Sequence, residues 1–178
     1  MLLKGKAMRE YLECGKIVGA HGVYGAMRVE CYCDSPAVLA KLPAVYLLQP
    51  DGSYLPRKVL KGAVKPPQAL LTIEGVESPE QVMPLRGTLL YAHRADIPLK
   101  KGAYFIVDLL WLPVLDADTG VRYGELLSVD DSPASRLYTV RTDSGRDVLL
   151  PAVSEFVKVI RIGECIRIRP IPGFFDEV

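Results

Sequence analysis

Three glycines spaced three residues apart, Gly19, Gly22 and Gly25, constrain the fold of this chain more than any other feature. Glycine reaches backbone angles that other residues avoid, and it lets another surface approach the main chain closely. The residues before the block are typical of a strand, and the run over 28–33 alternates as a second strand does. The block is therefore interpreted as a shaped loop between two strands, with His21 directly before the middle glycine.

Short strands with turn residues between them continue along the chain. Two short helices are predicted where a serine precedes a first-turn proline, at Ser35 and Pro36 and at Ser78 and Pro79. Pro84 limits the second helix to about one turn. These patterns predict an all-β fold of two small β-barrel domains joined by a short linker, with one or two short helices. The strand signals lie at 45–49, 69–73, 87–92, 114–115, 124–129, 137–140, 148–151, 157–162 and 165–170.

The domain boundaries are predicted from composition and charge. Residues 1–100 carry 13 Lys and Arg against 9 Asp and Glu, a net charge of +4, whereas residues 101–178 carry 9 against 12, a net charge of −3. This split favours nucleic acid as the partner of the first half and a basic protein as the partner of the second. The predicted parts are a flexible leader (1–10), an N-terminal barrel (11–96), a polar linker (97–102) and a C-terminal barrel (103–178).

Several classes of function have little support in the residues. The sequence contains no run of about 18 apolar residues, so no transmembrane helix is predicted. Its four cysteines have no evident disulfide pairing, which suggests a reducing cytoplasm. Cys31 and Cys33 share a strand face with Val29, so core filling is preferred to metal binding. The run 116–120 lacks ligands that a calcium loop needs, and a β-turn is preferred there. No metal, cofactor or catalytic site is predicted.

Two sets of residues are candidates for binding. A flat glycine loop allows backbone amides and the side chains of Lys16, His21 and Arg28 to meet RNA phosphates. The alternatives are a tight barrel corner for the glycines and a structural hydrogen bond for His21. In the second half, Tyr104 and Phe105 form an aromatic pair of the kind favoured in interfaces. If they start a strand, alternation buries one and exposes the other; Asp108, close behind, is expected to cap a turn or pair with a basic partner.

The motifs of both halves resemble one family. The glycine block with its histidine resembles the N-terminal domain of the RimM family of ribosome maturation factors, and the second half resembles the PRC-barrel that ends these proteins. The resemblance runs in the family's order from residue 11 to 176. Departures stand at Tyr24, Ala26 and Trp111, where the family has, respectively, often a basic residue, a glutamate and a glycine. The segments of the second half that carry it are 104–105 with 108–110, 114–124, 149–152, 159–160 and 172–176.

The resemblance implies a non-enzymatic, cytoplasmic, monomeric assembly factor. Such a protein binds the immature small (30S) ribosomal subunit at its head, docks on the nineteenth small-subunit ribosomal protein, and assists folding and processing of the 3′ domain of 16S rRNA by favouring one RNA conformation. The alternatives are a PRC-barrel adaptor of another protein complex and a small enzyme that uses His21 with a cysteine. The expected RNA-facing residues are Lys16, His21, Gly22, Tyr24, Gly25 and Arg28, and the expected protein-facing residues are Tyr104, Phe105, Asp108 and Leu109.

Overall fold

The chain divides into two units, which are described separately. The computed structural model describes residues 8–132 and 135–175. One unit is Arg9–Lys100, and the described residues from Lys101 onward make up most of the other. Both are built mainly from strands with a few one-turn helices, so the predicted all-β class is confirmed. Most of the predicted leader and residue 176, the last residue of the resemblance, lie outside the described residues.

The N-terminal unit is a closed six-stranded barrel with the strand order β1-β2-β5-β4-β3-β6. Closure pairs every strand on both sides, which leaves no exposed sheet edge. Its strands are β1 (Tyr11–His21), β2 (Ala26–Cys31), β3 (Ala44–Leu48), β4 (Tyr54–Lys65), β5 (Gln68–Ile73) and β6 (Leu89–His93). The helices are α1 (Pro36–Ala40) and α2 (Pro79–Val82), with 3₁₀ turns at Met83–Leu85 and Arg94–Asp96.

The core of the barrel follows the period of two that a strand imposes on its side chains. On β2, Met27 and Val29 are fully buried, whereas Arg28 between them is exposed. On β5, Ala69 and Leu71 are fully buried in the same way. Cys31 and Cys33 are partly buried against this core, as expected for small apolar side chains.

Both serine–proline helix starts are confirmed. Ser35 and Ser78 are the residues that precede α1 and α2, and a proline follows each of them. The Gln81 side chain accepts hydrogen bonds from the backbone N–H groups of Glu77 (2.7 Å) and Ser78 (3.3 Å). The helix α2 ends after one turn, and the 3₁₀ turn that contains Pro84 follows it.

The strand β4 was not predicted from the sequence. Its twelve residues are mostly exposed, so they show no alternation of apolar and polar side chains. Its backbone nevertheless pairs with β3 on one side and with β5 on the other. Gly62 of β4 lies against α1, because a Cβ at this position would be 2.7 Å from the carbonyl carbon of Ala40 and closer still to its oxygen.

The C-terminal unit is one six-stranded sheet in the order β10-β9-β8-β7-β12-β11, with β12 parallel to β7. All six strands contribute to a single apolar core, including the end strands through Leu150 and Ile160. A flat sheet cannot bring both ends to one core, so the sheet curls around it. Its elements are α3 (Ile106–Leu109), β7 (Pro113–Asp116), β8 (Arg122–Asp131), β9 (Arg136–Thr142), β10 (Asp147–Pro151), β11 (Val157–Arg161) and β12 (Cys165–Ile168).

Tyr104 and Phe105 do not start a strand, which was the alternative to an interface role for this pair. They have extended or irregular backbone and lead into the one-turn helix α3, for which Phe105 is the preceding residue. Leu109 at the end of α3 and Leu112 after the turn at 110–111 both lie in the core, with 4% and 8% exposure.

We expect Gly62→Ala to destabilise the N-terminal unit by about 1–3 kcal/mol, because the added methyl group meets the backbone of α1. The neighbouring substitution Ala63→Val is the control, because Ala63 is exposed on the same strand and the change should cost no more than about 0.5 kcal/mol. Urea unfolding of the two variants measures the difference. Equal stabilities would contradict the close packing of α1 on β4.

Candidate functional site

The glycine block forms the turn of a hairpin between β1 and β2. Gly22 and Gly25 have φ angles of 67° and 68°, in the left-handed region that glycine enters without steric cost. They bracket Val23 and Tyr24, whose exposures of 68% and 82% are the highest among the exposed large apolar side chains of the described residues. The two glycines thus reverse the chain and leave an aromatic ring at the tip of the loop.

The two turn glycines have different surroundings. A Cβ at Gly25 would lie 2.7 Å from the carbonyl carbon of Glu77 and closer to the carbonyl oxygen of Val76, whereas one at Gly22 would meet nothing within 4 Å. Gly25 therefore lets the tip of the hairpin rest on the segment before α2. Since it is buried, Gly25 shapes the loop, and the exposed backbone available to a ligand is that of Gly22.

A β-bulge brings the predicted cations to one face. The register between β1 and β2 shifts at Val18, so that Lys16, Gly19 and His21 all lie opposite outward-facing positions of β2. Directly opposite residues of an antiparallel pair share a face. Strict alternation without the bulge would have turned His21 towards the other face from Lys16. The structure therefore brings Lys16, His21 and Arg28 together on the outer face of the hairpin, here called the hairpin face.

Gly19 makes room for Arg28 on this face. The two residues are cross-strand partners, and a Cβ at Gly19 would lie 3.0 Å from Nη2 of Arg28. The guanidinium therefore extends across β1. Neither Arg28 nor Lys16 forms an ion pair with any described residue. The half-buried ring of His21 likewise makes no hydrogen bond within the described part of the chain, so the structural hydrogen bond expected for it is not found.

Among the described residues, several arginines of the C-terminal unit form ion pairs, unlike Lys16 and Arg28 of the barrel. Arg122 contacts Glu125 at 2.8 Å and Arg141 contacts Asp147 at 2.8 Å. Arg161 and Arg169 also have carboxylate partners within the unit. Because these arginines are neutralised locally, the free positive charge is concentrated on the N-terminal barrel.

The aromatic pair of the C-terminal unit is only partly accessible. Tyr104 is 41% exposed and its neighbour Ile106 is 39% exposed, whereas Phe105 and Asp108 are half-buried. Leu109, predicted to bind a partner protein, is instead a core residue, because the turn of α3 directs it inward. Its side chain is not available on the surface.

Trp111 is an exposed residue that sequence reasoning did not include in a site. It is 50% exposed and has a φ of 68°, the one positive φ of a non-glycine residue among those described. Its backbone N–H donates to the carbonyl oxygen of Leu126 at 2.7 Å, which fixes this conformation. The signal in the sequence was that a tryptophan occupies a position where the resemblance expects glycine, the residue that favours this backbone angle.

The structure does not support a histidine–cysteine catalytic pair in the barrel. Burial raises the pKa of the Cys14 and Cys31 thiols, and it raises that of Cys33 to about 12, which disfavours the reactive thiolate. His21 lies at the hairpin end of β1, and Cys31 lies five residues along β2 from the partner of His21, a separation of about 16 Å. A nucleophile and its base need hydrogen-bond contact.

The remaining candidate ligand sites have structural explanations. The Asp116 carboxylate accepts hydrogen bonds from the backbone N–H of Thr119 and from the Tyr123 hydroxyl, which hold its pKa well below the usual range and stabilise the expected turn. Within the described ranges, no group of three or more metal-binding side chains occurs. No helix in the same ranges is long and apolar enough to cross a membrane.

The turn glycines provide a matched pair for testing the hairpin. Gly22→Ala should cost about 1–2 kcal/mol, because alanine is strained at a positive φ. Gly25→Ala has the same strain and adds a collision with backbone, so it should cost about 1–3 kcal/mol more. Urea unfolding compares the variants. If both lost the same stability, the tip would not be seated on Val76 and Glu77.

Comparisons with known proteins agree with the motifs of both units. The family model of the RimM N-terminal domain matches residues 12–97. Ribosome maturation factor RimM of Symbiobacterium thermophilum is 34% identical over 98% of this chain and all of its own length, and that of Clostridium botulinum is 33% identical over 92% of this chain and 96% of its own. A crystal structure of a 16S ribosomal RNA processing protein RimM from Pseudomonas aeruginosa aligns with a TM-score of 0.44 at 22% identity, over 89% of this chain and 96% of that one. The chain belongs to the RimM family of ribosome maturation factors.

Proposed function

We propose that this protein binds the head of the immature 30S subunit and assists folding and processing of the 3′ domain of 16S rRNA. It acts in the cytoplasm as a monomer and catalyses no reaction. The observation that supports an RNA partner most strongly is the hairpin face, where Lys16 and Arg28 have no carboxylate partner among the described residues. Cations left free in this way are available to phosphates, which supply most of the affinity of proteins for nucleic acids.

The tip of the hairpin complements these charges. Tyr24 is 82% exposed, and an exposed ring can stack on a base that is not already stacked. The residue Gly22 is exposed, and nothing lies within 4 Å of its Cβ position, so a ligand can approach the main chain there. A surface of this kind binds one conformation of the RNA better than others and shifts the population towards it.

Charge reversal tests the RNA-facing role. Lys16→Glu combined with Arg28→Glu should lower the affinity for immature 30S subunits by about tenfold or more and reduce its dependence on salt, since two phosphate contacts are lost. Lys100→Glu with Lys101→Glu is the matched control, because both lysines are exposed outside the barrel strands. Cosedimentation at several salt concentrations measures both effects. An unchanged affinity in a folded variant would overturn the role of the hairpin face.

The C-terminal unit docks on the nineteenth small-subunit ribosomal protein. Two observations support this proposal. Residues 101–178 have a net charge of −3, which suits a basic partner. The unit also exposes three apolar side chains, Tyr104, Ile106 and Trp111. Tyrosine and tryptophan are enriched among the residues that dominate binding energy. A PRC-barrel adaptor would use this unit alone. That function would not explain why Lys16 and Arg28 of the N-terminal barrel lack carboxylate partners among the described residues.

Two single substitutions test the docking surface. Tyr104→Ala and Trp111→Gly should each weaken the complex with the purified ribosomal protein by more than about 1 kcal/mol. Trp111→Gly should at the same time leave the free energy of unfolding unchanged or raise it, because glycine removes about 1–2 kcal/mol of backbone strain. Val121→Ala, which removes an exposed apolar side chain elsewhere, is the control. Calorimetric affinities equal to wild type for both variants would exclude this surface.

A further inference from the structure

The outward-facing residues of the hairpin continue into two strands that follow it around the barrel. Glu30, the cross-strand partner of Lys16, lies opposite Gln68 of β5, and Gln68 lies opposite Lys65 of β4. One row of four side chains therefore crosses β1, β2, β5 and β4, with a lysine at each end.

A second row lies next to the first, nearer the tip of the hairpin. Gly19 lies opposite Arg28, Arg28 opposite Leu70, and Leu70 opposite Ala63. Lys61 is paired with Thr72, which lies two positions after Leu70 on β5. Lys61 is therefore next to this row on the same face. Both rows face outward, because the residues between them on β2 and β5 are fully buried. The rows together with Lys61 are called the basic sheet face.

The charge of the basic sheet face is almost all positive. Lys61 and Lys65 are exposed, and neither forms an ion pair with any residue that the structure describes. Glu30 is the one acid in the two rows. Desolvation, followed by the neighbouring carboxylates of Glu30 and Glu13, raises the pKa of the Tyr32 hydroxyl, which places the Glu30 carboxylate near Tyr32.

The shape of this face distinguishes between forms of RNA. Ala63 is small and lies between Lys61 and Lys65 on β4, so no bulky side chain separates these two lysines. Proteins that bind single strands stack bases on aromatic side chains, but the two rows contain no aromatic residue. The cations span three strand spacings, about 14 Å, and reach phosphates without reading bases. Double-helical RNA presents such a backbone and keeps its bases inside.

We propose that the basic sheet face binds the backbone of double-helical RNA, with Lys61 and Lys65 of β4 contacting phosphates beside Lys16 and Arg28. The inference rests on the proposed RNA-binding function and extends it to a named strand and a form of RNA. The affinity gained in this way is independent of sequence and sensitive to salt. Tyr24 at the tip remains free to contact an unpaired base next to the helix.

The test uses the full chain and an RNA duplex of about 16 base pairs, a length that a known double-strand-binding domain spans. Lys61→Gln with Lys65→Gln should weaken duplex binding by about tenfold, and the slope of log affinity against log salt should fall by about 2. The control is Lys100→Gln with Lys101→Gln, which makes the same change of charge at two exposed residues that belong to no strand. Lys61→Arg with Lys65→Arg should restore binding.

The outcomes separate this inference from the proposed function. If the Lys61 and Lys65 variant binds as the control does while the Lys16 and Arg28 variant binds weakly, the role of β4 is overturned and the hairpin face is retained. If neither the Lys61 and Lys65 variant nor the Lys16 and Arg28 variant changes the affinity, the roles of β4 and of the hairpin face are both overturned. If one strand of the duplex alone binds more tightly than the duplex, the preference for helical RNA is wrong. Near-wild-type urea unfolding of each variant assigns any loss to contacts.

Discussion

The alternation of side chains in the closed barrel is the constraint on which the rest of the N-terminal unit depends. Each strand must turn every second residue towards one small core, and β2 and β5 do so without interruption. β1 breaks this order twice, at Cys14 in its pairing with β6 and at Val18 in its pairing with β2, where one extra residue is inserted. Because of the extra residue at Val18, Lys16 and His21 share a face although their spacing in sequence is odd, and Arg28 finds a glycine opposite it.

Much of this fold could be predicted from residues that have local physical requirements. Gly22 and Gly25 marked a turn because their backbone angles exclude other residues, and the prolines after Ser35 and Ser78 marked helix starts. The strand β4 could not be predicted in this way, since it is held by backbone pairing with two neighbours and buries few side chains. The bulge at Val18 could not be predicted for a similar reason, because it depends on how β1 pairs with β2.

The candidate sites show the same division between local and non-local information. Lys16 and Arg28 could be selected from the sequence, whereas their lack of carboxylate partners depends on the whole barrel. Leu109 was expected on the partner-binding surface because of the resemblance, whereas the position of α3 on the core buries it. The arginines of the C-terminal unit appeared equally available in the sequence, yet cross-strand and turn contacts neutralise several of them. Charge counts alone would have understated the contrast between the units.

The position of Trp111 has a consequence for spectroscopy. It is the single tryptophan of the chain, and it stands half-exposed on the C-terminal unit in a backbone conformation fixed by its hydrogen bond to Leu126. An indole in that setting emits as a solvated fluorophore, and its emission shifts to shorter wavelength when a partner covers it. Excitation that selects tryptophan over tyrosine therefore reports, without a label, on the occupancy of the surface around Trp111 alone.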